Sequence, residues 1–175
     1  MNSEQGLEML LPHDIAVLVE VRRRSDAPWT QRDLSQALYI SLGGIHAALQ
    51  RCTSSELYDP DRRKVRMHNL FVLLGGGFQF IFHGELGPRR RGIPTAWSAA
   101  PLNLSVSFPA EEQVVWPAPE GEMLGHSIEP LYRGAPAAAT ANPQLHELLA
   151  LLDGLRLGDV RVRKLAMEEL QGRLR

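Results

Sequence analysis

The chain has 175 residues, 44% of them hydrophobic, and a net charge of −1, so it can bury one core but lacks the excess of basic charge that makes a protein cling to nucleic acid indiscriminately. No run of about 18 apolar residues occurs, and no basic region precedes an apolar run at the N-terminus, so neither a transmembrane helix nor a signal peptide is expected, and the expected location is cytoplasmic, away from membranes. A single cysteine, Cys52, rules out an intrachain disulfide and, with no CxxC pair, a cysteine zinc site; it reads as a small buried apolar residue.

In chain order, "PHDIAVLVEVRRR" places Ile15, Leu18 and Val19 at i, i+3 and i+4, which predicts a helix with a buried stripe. "SDAPW" breaks it. Thr30 is an N-cap residue with Asp33 three positions on, approximating a capping box, and Leu34, Ala37 and Leu38 give the next short helix its inner face. Tyr39 and Ile40 form a turn, and Ser41 caps a third helix in which Ile45, Ala48, Leu49 and Cys52 recur at helical spacing. From Arg62 to Leu74 the positions Met67, Leu70, Phe71 and Leu74 predict a fourth helix, ended by Gly75, Gly76 and Gly77. Phe78, Phe80 and Phe82 then alternate as in a strand. With "IPTAW" beyond "HGELGPRRRG" they predict a hairpin whose tip carries Arg89, Arg90 and Arg91.

Residues 101–141, rich in Pro, Ala and Gly, predict an irregular connection draped over the first unit, with short extended runs at 102–108 and 114–116 and with Trp116, Leu131 and Tyr132 as anchors. Asn142 and Pro143 open a helix with a stripe of Leu145, Leu148, Leu149 and Leu152. Gly158 ends it, and Asp159 caps a second one with Val162, Leu165, Ala166 and Leu170 inward. The expected class is therefore α+β, with a first unit over residues 10–100, the connection at 101–141, and a C-terminal helical hairpin at 142–175. That hairpin is too small to hold itself together, so its leucine face must cover the first unit or pair with a second copy in a homodimer.

Charge is unevenly spread. Residues 1–60 carry five Lys/Arg against eight Asp/Glu, residues 61–100 seven against two, and residues 101–175 seven against ten. The basic excess is concentrated in "RRKVR" and in Arg89 to Arg91, which becomes informative if the fold brings the two together.

The segment "WTQRDLSQALYISLGGIHAAL" resembles the tri-helical motif of bacterial winged helix-turn-helix transcriptional regulators of the MarR- or ArsR-like type, a resemblance that covers roughly residues 12–97. It implies a recognition helix beginning at Ser41, a wing around Arg89 to Arg91, and double-stranded DNA as partner. The outward positions would be Gly43, Gly44, His46, Ala47, Gln50 and Arg51, joined at the helix start by Ser41 as a DNA-binding residue, with Gln suited to adenine and Arg to guanine or phosphate. Two glycines depart from the family's usual polar face. Each costs a helix up to about 1 kcal/mol relative to Ala, and they suggest either close approach of a partner backbone or a harmless first turn. The alternative reading is a protein-interaction module, antitoxin-like or a complex-assembly subunit.

No catalytic constellation is expected, and no cofactor or metal. In "LHELLA" the place of the second histidine of HExxH is taken by Ala150; "GHSIE" around Ser127 lacks the last glycine of GxSxG; "GGG" after Leu74 is neither a P-loop nor GxGxxG. Glu111–Glu112 and Glu168–Glu169 are adjacent pairs whose side chains diverge, which suits solvation better than acid–base chemistry.

Overall fold

The computed structural model describes residues 9–24 and 27–175. Three helices come first: α1 (Pro12–Arg23), α2 (Gln31–Leu38) and α3 (Leu42–Ser54), followed by a two-stranded antiparallel hairpin of β1 (Tyr58–Asp59) and β2 (Lys64–Val65). Helices α4 (Met67–Gly76) and α5 (Phe78–Ile81) lead to a three-stranded sheet of β3 (Arg89–Pro94), β4 (Val114–Pro117) and β5 (Met123–Ser127). Helices α6 (Ala135–Ala141), α7 (Pro143–Leu157) and α8 (Val160–Arg173) complete the chain. The α+β class is observed, and no described helix is long and apolar enough to cross a membrane.

Local chemistry explains the helix ends. The Thr30 hydroxyl accepts the Asp33 N–H at 3.2 Å while the Asp33 carboxylate accepts the Thr30 N–H at 2.7 Å, the reciprocal capping box expected from the spacing. The carboxylate of Asn142's counterpart at α8, Asp159, accepts the Val162 N–H at 2.8 Å, and Asn142 itself accepts from Gln144 and Leu145. Tyr39 ends α2 in the left-handed region at φ 56°, which swings the chain into α3.

Helix α7 is the centre of the molecule. Leu145, Leu148, Leu149, Leu151, Leu152 and Leu155 are all buried, and the helix packs against α1, α5, α6, α8 and the turn at Ala96–Ser98. The C-terminal hairpin forms as its capping residues predict, but its leucine face is fully covered within the chain. Nothing of that face is left over to pair with a second copy, which removes the physical reason for placing a homodimer interface there. Asp153, at the middle of α7, is completely buried. Its carboxylate accepts from Thr95 Oγ1 and Trp116 Nε1, both at 2.7 Å, and from Arg156 Nη1 at 2.6 Å, tying α7 to the sheet.

In the sheet each strand pairs with both others: β3 runs antiparallel to β4 and to β5, while β4 and β5 run parallel. Gly92 makes the closure sterically feasible, because a Cβ there would lie 2.0 Å from the Trp116 carbonyl oxygen.

Several expectations are corrected. Phe78 to Ile81 are helical, because Phe78 extends the buried Leu70, Leu74 series by one further turn and is itself fully buried. The hairpin expected across residues 78–97 is therefore absent, and Arg89, Arg90 and Arg91 form a strand instead of a tip. The helix expected from Arg62 begins at Met67, since Asp59 accepts the Arg62 N–H at 3.0 Å in a turn and Lys64–Val65 pair with Tyr58–Asp59. Within 101–141 the run at 114–116 is a strand, but residues 102–104 are a 3-10 turn and Ala135–Ala141 are a helix. Trp116 and Leu131 are buried in the common core with Tyr132 packed against it.

Candidate nucleic-acid interface

Helix α3 lies against α1 and α2 through Ile45, Ala48, Leu49 and Cys52, which leaves the opposite face to solvent. That face carries Leu42, Gly43, His46 and Gln50, the last two one helical turn apart and both exposed. Ser41, also exposed, caps the helix by accepting the Gly44 N–H at 3.1 Å.

The two glycines have different reasons. A Cβ on Gly43 would meet nothing within 4 Å, so its backbone is bare to solvent. One on Gly44 would lie 2.8 Å from Ile40 Cγ2 and 3.1 Å from Ser41 Oγ, so Gly44 is required by the turn between α2 and α3.

Arg51 is the clearest correction among the expected contacts. Its side chain points inward and donates from Nε and Nη2 to the two oxygens of Asp14, at 2.8 and 2.7 Å, with Asp14 fully buried. Asp14 also accepts the Leu11 N–H at 2.8 Å, closing the first turn of α1. A buried bidentate pair of this kind is structural, because removing either partner strands the other charge in the core. Neighbouring His13 is held below its ordinary pKa mainly by burial, and by the Arg51 charge, against the pull of Asp14.

The β1–β2 hairpin stands beside α3. Between the start of α2, the outer face of α3 and this hairpin runs an open cleft of about 450 Å³, lined by Trp29, Gln31, His46, Gln50, Tyr58 and Arg63 among others. Arg63, in the left-handed region at φ 53°, stacks its guanidinium 4.2 Å from the centre of the Trp29 ring and donates to the Trp29 carbonyl at 2.7 Å. This fixes the hairpin to the start of α2. Burial raises the Tyr58 phenol pKa, opposed by the nearby Arg63 charge. Arg62 projects into solvent with its side chain 82% exposed, and Lys64 is also exposed. Arg66 lies 3.5 Å from Glu56 and 4.0 Å from Asp59. Asp59 is held below the ordinary carboxylate range, first by the Arg62 N–H, so it stays ionised and partly offsets the cations around it.

The structure thus gathers Ser41, Gly43, His46 and Gln50 on one surface, turns Arg51 inside, and sets Arg89, Arg90 and Arg91 on β3, whose packing partners are β4 and β5. All three of those arginines are exposed, and Arg89 Nη2 donates to the Ala110 carbonyl at 3.2 Å. Arg62 and Lys64 stood out as part of a basic run, but their place on a hairpin was missed because residues 62–74 read as one helix. The signal was present in "DPDRR", where Asp, Pro and Asp in succession are turn chemistry.

Elsewhere, Ser127 Oγ donates to the Pro88 carbonyl at 2.8 Å, and His146 Nε2 lies 2.7 Å from the Pro94 carbonyl. Among the described residues no group of three or more His, Cys, Asp or Glu is placed to hold a metal ion. Comparison of the chain with family models, with curated proteins and with solved structures finds no match.

Proposed function

We propose that the chain is a DNA-binding regulator of winged helix-turn-helix type, reading double-stranded DNA with the outer face of α3 and holding phosphates with the β1–β2 hairpin. The observation that carries this reading is the shared cleft: His46 and Gln50 line it from α3, and the hairpin that forms its other wall bears Arg62 and Lys64 at its exposed end. A three-helix unit followed directly by a short hairpin is the order in which that fold presents a recognition helix and a wing. Gln50 can make a bidentate contact with adenine and His46 a single one, while Gly43 lets the start of α3 approach a phosphate or base edge closely. Arg62 and Lys64 take the role first expected of Arg89 to Arg91.

The test is fluorescence anisotropy on a duplex from the gene's own upstream region and on a scrambled duplex, at two salt concentrations. Replacing Arg62 and Lys64 with Ala removes up to two phosphate contacts, so the slope of log K against log salt flattens by up to about 1.8 per chain. Gln50→Ala leaves that slope nearly unchanged and reduces discrimination between the duplexes by roughly 1–3 kcal/mol. Replacing Arg89, Arg90 and Arg91 with Ala leaves both unchanged. Wild-type protein that binds neither duplex at low salt would remove the reading. The alternative, a protein-interaction module, is favoured by one separate observation, an apolar face left uncovered on α4 and α5.

A further inference from the structure

Leu42, His46 and Gln50 follow one another along α3 at four-residue spacing, all three exposed, Leu42 by 48%. Helical spacing of four sets them in one line. At a rise of about 1.5 Å per residue the line is about 12 Å long, the span of three to four base pairs. Gly43 stands beside its first member, and with nothing within 4 Å of its missing Cβ it adds no bulk that would hold Leu42 away from a surface.

The groups missing from this face are as telling as those present. From Leu34 to Gln50 the 17 residues contain no Asp, Glu, Lys or Arg, and Arg51, the one cation of α3, is held inside by Asp14. In the major groove guanine presents two acceptors that suit the paired donors of Arg or Lys, and cytosine presents an amino donor that suits Asp or Glu. The outer face of α3 offers neither, and its one hydroxyl, Ser41 Oγ, already accepts the Gly44 N–H. Adenine presents an acceptor and a donor that match the Gln50 amide, and thymine presents a methyl group that matches an apolar side chain. Leu42 is that side chain. His46, between the two, gives one hydrogen bond to N7 of either purine and so does not choose.

We infer that, with α3 in the major groove as proposed above, the chain selects A·T pairs: Gln50 takes an adenine, and Leu42 covers the methyl group of a thymine three to four base pairs away. Leu42 is then a specificity-determining residue, although it makes no hydrogen bond.

Selection of a randomised duplex library on the full chain at low salt tests it first, and enriches adenine and thymine three to four base pairs apart. In the enriched duplex, uracil in place of thymine removes only methyl groups, and it weakens wild-type binding in fluorescence anisotropy about fourfold for each methyl covered, the worth of one buried carbon. Leu42→Ala binds the thymine and uracil duplexes alike, Leu42→Met keeps the difference because it keeps the apolar bulk, and Gln50→Ala keeps it while losing the preference for adenine. All three substitutions fall at exposed positions, and circular dichroism confirms that the variants remain folded. Enrichment of G·C pairs, a wild type indifferent to the methyl groups, or a Leu42→Ala variant that still prefers thymine overturns the inference and leaves the DNA reading in place. A wild type that retains no duplex at low salt removes both.

Discussion

Helix α7 is rich in leucine and the α4–α5 rod in leucine and phenylalanine, yet their surroundings differ. The chain covers α7 from α1, α5, α6, α8 and the Ala96–Ser98 turn, and it even buries a carboxyl group there, that of Asp153, by surrounding it with Thr95, Trp116 and Arg156. It covers the rod on the Leu70, Leu74, Phe78 side, with Phe71 and Leu73 half-buried beside it, and leaves Val72 and Phe80 exposed. Apolar periodicity therefore states that a face must be covered, and leaves open whether the cover comes from the same chain. The leucine stripe of residues 145–152, which by its sequence could have joined two copies, proves to be internal, while the outward face lies on a segment whose glycines and phenylalanines suggested a turn and a strand.

Mutations sharpen the contrast. The largest effect belongs to Asp153→Ala, which leaves Arg156 buried without its carboxylate and should cost about 3–5 kcal/mol in chemical denaturation. Leu149→Ala removes a fully covered side chain from the same helix and should cost about 2–5 kcal/mol. Phe80→Ser, on the rod, should change monomer stability by no more than about 0.5 kcal/mol in dilute solution, because an exposed side chain loses few contacts. Equal losses at Leu149 and Phe80 would dissolve the distinction between the two helices.

A smaller effect is expected from pH. Burial raises the Asp153 carboxyl above its ordinary pKa despite the opposing pull of Arg156 and of the hydrogen bonds from Thr95 and Trp116. The folded state then holds that proton more tightly than the unfolded state does. The resulting stability is fully present below the ordinary carboxylate pKa and is lost as pH rises through the raised value. Denaturation of wild type and Asp153→Asn across mildly acid to neutral pH should show the wild type's advantage shrinking as pH rises, and an advantage that grows would reverse the assignment.

Features decided by neighbouring residues were legible in the sequence. The caps at Thr30, Ser41, Asn142 and Asp159 are interactions across two or three positions, and they start helices as expected. Features decided by distant residues were not. Arg51 belongs to Asp14, 37 positions away, and no pattern along α3 reveals that its charge turns inward. Phe78, Phe80 and Phe82 fit a period of two, while Leu70, Leu74 and Phe78 fit a helix, and packing against α7 decides for the helix. The sheet joins strands separated by long connections, so Arg89 to Arg91 could be recognised as basic but not placed. Of the candidate interface, the exposed face of α3 was readable, and the hairpin beside it was hidden by an apolar pattern that starts at Met67, two residues after it ends.

Cys52 packs beneath α3 with none of its surface exposed, its thiol facing the Asp14 carbonyl and pushed well above its ordinary pKa by burial. The reactive thiolate is thus withheld twice, by access and by protonation. As the chain's one cysteine, it makes the protein its own clock: a thiol-directed alkylating reagent labels it only during the moments when α1 and α3 part, and the labelling rate counts those openings without any introduced probe.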